Sequence, residues 1–242
     1  MPPLDVGGTT PILLVGEGEQ VQGEVWLSNP TAADIIVKSA TLSVTLPSGV
    51  ESGPIGLPPD AAVPAFSTRR LVIGMGMQPL TPPGTYEASV DLAFEPPLGS
   101  QKIPARVLVN ATFAPVLVPL RIVFSKVASN SKRKGSVVVV NKGNVDIPVG
   151  PMGTEPLLEV RSQPRVLVVA AGGAVSVEPA IASAAAGKTV QFTNDQPTVG
   201  PGGWAEVKFE LTTPAGLTPN AHLRALPRLA TERFAVDLLT GP

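Results

Sequence analysis

Residues 135–149 read GSVVVVNKGNVDIPV, and residues 23–37 read GEVWLSNPTAADIIV. In each stretch a run of strand-forming residues ends on an asparagine, a turn follows, and an apolar run resumes. Residues 23–29 match residues 135–141 at an offset of 112. Further along, Leu80-Thr81-Pro82 matches Leu217-Thr218-Pro219, and Ala88, Leu92 and Ala93 match Ala225, Leu229 and Ala230, now at an offset of 137. Two ordered blocks of matches describe a tandem repeat. The two offsets differ by 25 residues, which places an insertion of about that size in the second copy, within 163–203. The expectation is an all-β chain of two domains, residues 1–114 and 115–242, joined near Ala114-Pro115.

Composition agrees with that reading. The 28 prolines and 24 glycines of the 242 residues fall between short apolar runs, as the many turns of an all-β fold require. With 43% hydrophobic residues the chain can bury two cores, which a disordered chain cannot. Only 15% of residues are charged, a charge-poor surface that suits a subunit with partners better than a free monomer. Residues 1–114 carry 5 Lys+Arg and 10 Asp+Glu, whereas residues 115–242 carry 13 and 9, so the halves are of opposite sign. Such an asymmetry orients a subunit at an interface and is too small to indicate nucleic acid. Cysteine is absent, which removes disulfides and thiolate sites. The N-terminal stretch has no basic region and no apolar run of signal length, so a cytoplasmic location, or one peripheral to a membrane complex, is expected over secretion. No run approaches the length of a transmembrane helix.

In chain order, strands are expected at 12–15, 21–27, 35–37, 40–46, 71–73, 88–94 and 103–113, with a Gly/Pro-rich loop over 47–64. Residues 116–123 open the second unit, and residues 160–169 and 173–177 are candidate extra strands. The alanine-rich residues 181–186 read either as more strand or as one helical turn closed by Gly187.

The asparagine turns (Asn29-Pro30 and Asn141-Lys142-Gly143-Asn144) and the Pro82-Pro83-Gly84-Thr85-Tyr86 run before a late strand resemble bacterial immunoglobulin-like modules, with CARDB- and NEW3-like domains and their fibronectin-like relatives the nearest. The resemblance implies two tandem Ig-like β-sandwiches used as spacers, adhesive units or scaffolding. It also implies a corner at Tyr86, its hydroxyl tied back to backbone. Leu223 takes that place in the second unit.

No catalytic constellation stands out. His222 is the single histidine, with no cysteine or second histidine to complete a zinc site and no G-x-S-x-G elbow to complete a triad; it reads as a solvated turn residue. Asp34 and Asp146 fall short of a calcium loop and read as turn caps. Lys132, Arg133 and Lys134, with Lys126 nearby, form the one basic cluster, a solvated hairpin tip that can also meet an anionic surface. Val25 and Leu27 share one parity, so Trp26 faces outward, and Val138 and Val140 share that outward parity in the second unit. Trp204 reads as an anchor for the insertion. The protein-contact candidates are therefore Trp26, Val138, Val140, Lys132, Arg133, Lys134 and Trp204. The function expected is that of a non-catalytic accessory subunit docked on a larger multi-protein assembly, a membrane complex's soluble face or a protein shell, with no cofactor and no metal. A cell-surface adhesion or carbohydrate-binding module and a two-domain periplasmic chaperone are the alternatives.

Overall fold

The fold is seen in a computed structural model that describes residues 4–7, 11–17, 19–56, 61–160 and 181–242. The described residues form strands and turns without a helix. They divide into two compact units, one of residues 1–113 with Gly143–Val145 and one of Ala114–Lys142 with Asp146–Pro242.

The first unit holds β1 (Asp5–Gly7), β2 (Ile12–Glu17), β3 (Gln20–Ser28), β4 (Ile35–Leu46), β5 (Gly49–Ile55), β6 (Ala62–Val63), β7 (Thr68–Gly76), β8 (Gly84–Phe94) and β9 (Ser100–Val109). β3 pairs with β1 and β2 along one edge and with β7 along the other. From β2 the sheet runs on through β9, β8, β4 and β5, and the β2–β9 step is parallel. Alternation decides which side chains meet. Val21, Val25 and Leu27 of β3 turn inward against Ile73, Leu42, Leu92 and Val107, each burial contributing about 1.5–3 kcal/mol. The 47–64 segment, expected as a loop, contains β5 and β6, because β4 offers partners to both despite the glycines and prolines.

The second unit holds β10 (Pro115–Val118), β11 (Arg121–Val127), β12 (Lys132–Asn141), β13 (Ile147–Pro148), β14 (Gly153–Val160), β15 (Ile181–Asn194), β16 (Thr198–Val199), β17 (Trp204–Thr212), β18 (His222–Ala225), β19 (Arg228–Leu229), β20 (Glu232–Arg233) and β21 (Ala235–Thr240). Its main sheet runs β10-β12-β17-β15-β14-β18-β21-β11, with β11 and β21 parallel, and β13–β16 and β19–β20 form two small ladders. The single strand expected over 116–123 is thus two strands in different parts of the sheet. Residues 181–186 are strand and not a helical turn. Leu158 stands across from Ala184 and Val160 across from Ile181, and a ladder partner outweighs the helix preference of alanine. Residues 161–180, with most of the expected insertion and extra strands, lie outside the described residues.

Both repeated stretches keep their landmarks for physical reasons, though neither is a hairpin: the apolar run after each turn enters another ladder. Asn29 and Asn141, one at each strand end, are buried. Asn29 Nδ2 donates to the carbonyls of Ala33 (2.8 Å), Val63 (2.9 Å) and Pro64 (3.2 Å), and its Oδ1 accepts from Thr31 N (2.9 Å) and Thr31 Oγ1 (2.7 Å). Asn141 Nδ2 donates to Val199 O at 2.9 Å. Asn29→Ala strands several buried backbone carbonyls, so a loss of about 2 kcal/mol is expected, read as a lower urea midpoint with unchanged slope. The matching glycines serve different neighbours. A Cβ at Gly23 would overlap the Leu13 carbonyl, whereas one at Gly135 would sit 2.6 Å from Phe209 Cζ.

Candidate functional site

The outer face of β10, β12 and β17 collects apolar side chains. Register puts Val116 beside Val140 and Val140 beside Trp204, with Val118 beside Val138 in the next row. Val137 and Val139 are buried in the core, so their neighbours Val138 and Val140 point the other way and are half-buried. Trp204 is 68% exposed and Val118 is 52% exposed. Trp204 therefore stands on the outside of the sheet instead of packing on the sandwich. β17 opens at this residue, after Gly203 has donated to Gly200 O (2.9 Å) and accepted from Asn141 N (2.9 Å), and strand alternation sets its ring outward.

Along the same face the strip gives way to charge. Lys134 and Ser136 of β12, Lys208 and Glu210 of β17, and Thr193 and Asp195 beside them line a shallow groove of about 700 Å³. Lys132 Nζ donates to Glu210 Oε1 at 2.7 Å, and this bond holds the Glu210 carboxyl below its ordinary range. Arg133 Nη2 donates to Lys126 O at 2.8 Å. The basic triplet is therefore the start of a strand, anchored at two of its three residues, and not a free hairpin tip. In the first unit Trp26 is 46% exposed, opposite Arg70, whose guanidinium pairs with Glu24 on the same face.

His222 is not a solvated turn residue. It opens β18, and its Nε2 lies 3.3 Å from Asp237 Oδ1 without hydrogen-bond alignment. Asp237 is fully buried. Its Oδ2 accepts from Arg121 Nε (2.6 Å) and Arg224 Nη2 (3.1 Å), and its Oδ1 accepts from Arg224 Nε (2.7 Å). Burial pushes this carboxyl up, but the hydrogen bonds from Arg224 and Arg121 outweigh it and hold it below the ordinary range. The same bond raises Arg224. Three hydrogen bonds from two guanidinium groups occupy this buried carboxylate, so the cluster ties β11, β18 and β21 together. Sequence reading missed it because its members come from strands far apart in the chain.

Asp34 Oδ1 accepts from Ala65 N at 2.9 Å, a backbone cap. The Tyr86 hydroxyl donates to Pro82 O at 2.7 Å, while Leu223 is buried in the second core. Asn144, within the first unit, is buried as well: its Nδ2 donates to Thr81 O and Asn110 O (both 3.0 Å) and its Oδ1 accepts from Thr112 N (2.6 Å). Among the described residues no group of three or more His, Asp and Glu could hold a metal ion, and no helix is long and apolar enough to cross a membrane.

No protein-family model and no curated protein matches the chain. Solved structures similar to it include a protein of unknown function from Porphyromonas gingivalis W83, at 14% identity and a TM-score of 0.29 over 98% of this chain and 99% of that one. The E. coli chaperone DraB matches at 11% identity and a TM-score of 0.29 over 97% and 96% of the two chains. The Pseudomonas aeruginosa CupB2 chaperone matches at 11% identity and a TM-score of 0.28 over 96% and 98%. TM-scores this low carry no argument about function, and the chain is grouped with none of these proteins.

Proposed function

We propose that the protein is a non-catalytic accessory subunit, built of two immunoglobulin-like sandwiches, that docks onto a larger multi-protein assembly. The observation that carries this reading is the outward apolar strip of Val116, Val118, Val138, Val140 and Trp204. A strip of aliphatic side chains around an exposed tryptophan is the composition of an interface centre, where a few aromatic anchors hold most of the binding energy. The charged groove beside it supplies the polar rim that such interfaces have. The immunoglobulin-like assignment is supported by the parallel pairing of an early strand with the last long strand in each unit, β2 with β9 and β11 with β21.

The test is a gentle native pull-down from the source organism, resolved by size exclusion and mass spectrometry. The protein is expected in a large particle with fixed partners. Trp204→Ser and Val140→Ser are expected to release it while leaving it folded, since both side chains point out of the core. Elution of the unaltered protein as a free 24.9 kDa monomer overturns the proposal.

A further inference from the structure

One edge of the repeated strand is used differently in the two units. Asn141 N donates to Gly203 O (2.9 Å) and Thr213 N to Ser131 O (3.0 Å), at the two ends of the β12–β17 ladder. Antiparallel pairing alternates, so the odd-numbered residues of β12 turn their backbone groups to β17 and the even-numbered ones turn theirs to the opposite edge. On that opposite edge Lys142 N donates to Ala114 O (2.9 Å), and Val140 and Val138 stand across from Val116 and Val118 of β10. There β10 ends. Among the described residues no strand pairs with this edge over residues 132–137. The backbone N–H and C=O groups of Lys132, Lys134 and Ser136 therefore line an open seam.

In the first unit the same slot is filled. At the offset of 112, Lys132 and Lys134 correspond to Gln20 and Gln22, which stand across from Glu17 and Val15 of β2. Among the described residues β11, the counterpart of β2, pairs only with β21.

We infer that this seam takes an extended strand of a partner protein by antiparallel β-addition to residues 132–137. The inference rests on the docking reading and names its site and the chemistry of its partner. The strand is apolar along its length and carries carboxylates at the end that meets Lys132 and Lys134. Unpaired edge groups supply the main-chain bonds. Lys132 and Lys134 share one face of β12 at the seam, where Lys132 pairs with Glu210 and Lys134 also acts on that carboxylate, while Arg133, of the opposite parity, donates to Lys126 O. Apolar surface is at hand in exposed Val118 and Leu120 and in Phe124, whose Cζ would lie 3.1 Å from a Cβ on Gly135. Edge lysines discourage pairing with another basic or neutral edge, so the same residues that invite an acidic strand refuse the wrong one.

The probe is a fluorescent peptide of residues 11–19 of this chain, PILLVGEGE, the sequence that fills the slot in the first unit. Saturable binding to the full chain is expected, with slowed amide exchange over residues 132–137. Lys132→Glu with Lys134→Glu is expected to weaken it by about tenfold or more, and a peptide with lysine in place of glutamate is expected not to bind. Lys134→Pro removes, besides the ammonium, a backbone N–H that faces the seam and no bond to β17, so it is expected to fold and to lose binding. Absence of binding up to about 1 mM peptide, or binding indifferent to both the charge reversal and Lys134→Pro, overturns the inference. If the Lys134→Pro protein still co-purifies with its host, the docking proposal stands and this site is wrong.

Discussion

Asp237→Ala is expected to destabilise the second unit by about 3 kcal/mol, because it leaves two guanidinium groups without the carboxylate that neutralises them. Arg224 suffers most, being 13% exposed, whereas Arg121, more than half exposed, regains water. Asp237→Asn keeps the shape but offers one acceptor oxygen in place of two charged ones, and is expected to lose less. The pH dependence has a definite sign. Since the folded state holds this carboxyl below its unfolded value, its contribution is complete above about pH 4 and is lost as pH falls through the lower folded value. Hydrogen exchange at β18 and β21 is the measurement, made on wild type and variants between neutral and acid pH. Equal protection in wild type and Asp237→Ala at neutral pH would show that the network contributes nothing.

Phe209→Ala is expected to cost about 4 kcal/mol, the transfer loss of a ring plus the cavity it leaves. Its ring is buried against Phe192 and Phe234, with centroids 5.9 Å away in both cases, and meets Phe124 edge-on at 6.4 Å. The edge-on pair has the T-shaped geometry aromatic pairs favour, and the other two rings are tilted at 60° and 56°. The space for this ring exists because position 135 has no side chain. Gly135→Ala is therefore expected to destabilise wild type by about 1–3 kcal/mol through overpacking, and by less in a Phe209→Leu background. Urea denaturation of the four proteins reads the coupling. Additive effects would mean that the glycine and the ring do not share one space.

The all-β class was legible because alternation survives in short windows: Val25, Leu27, Val137 and Val139 are the buried members of their strands, as period-two patterning requires. The outward residues Trp26, Val138 and Val140 followed from the same parity. Other features left no local trace. Residues 181–186 lack β-branched side chains apart from Ile181, and their strand state depends on β14, a partner more than 20 residues away. Trp204 was read as an anchor because a tryptophan after two glycines says nothing about which side of a sheet it will face. His222 was read as solvated because the aspartate beside it comes from β21, and of the two arginines that share that aspartate one, Arg121, comes from β11. The open seam was invisible for a related reason. It is a missing pairing, and sequence patterns report the strands that form, not the neighbours they lack.

The parallel pairing of early and late strands also sets an order of assembly on the ribosome. The sheet of the first unit can close once Val109, the last residue of β9, has emerged to meet β2, with Asn144 joining that unit later. The second unit must wait for β21, since Arg121 and Asp237 lie 116 residues apart. At typical synthesis rates that interval is on the order of ten seconds. Throughout it β11 has no ladder partner, and an already folded first unit tethers a nascent second unit whose apolar strand edges are bare. Conditions that stall translation between these two strands are where this protein is most exposed to aggregation, and where a folding assistant would have the most to hold.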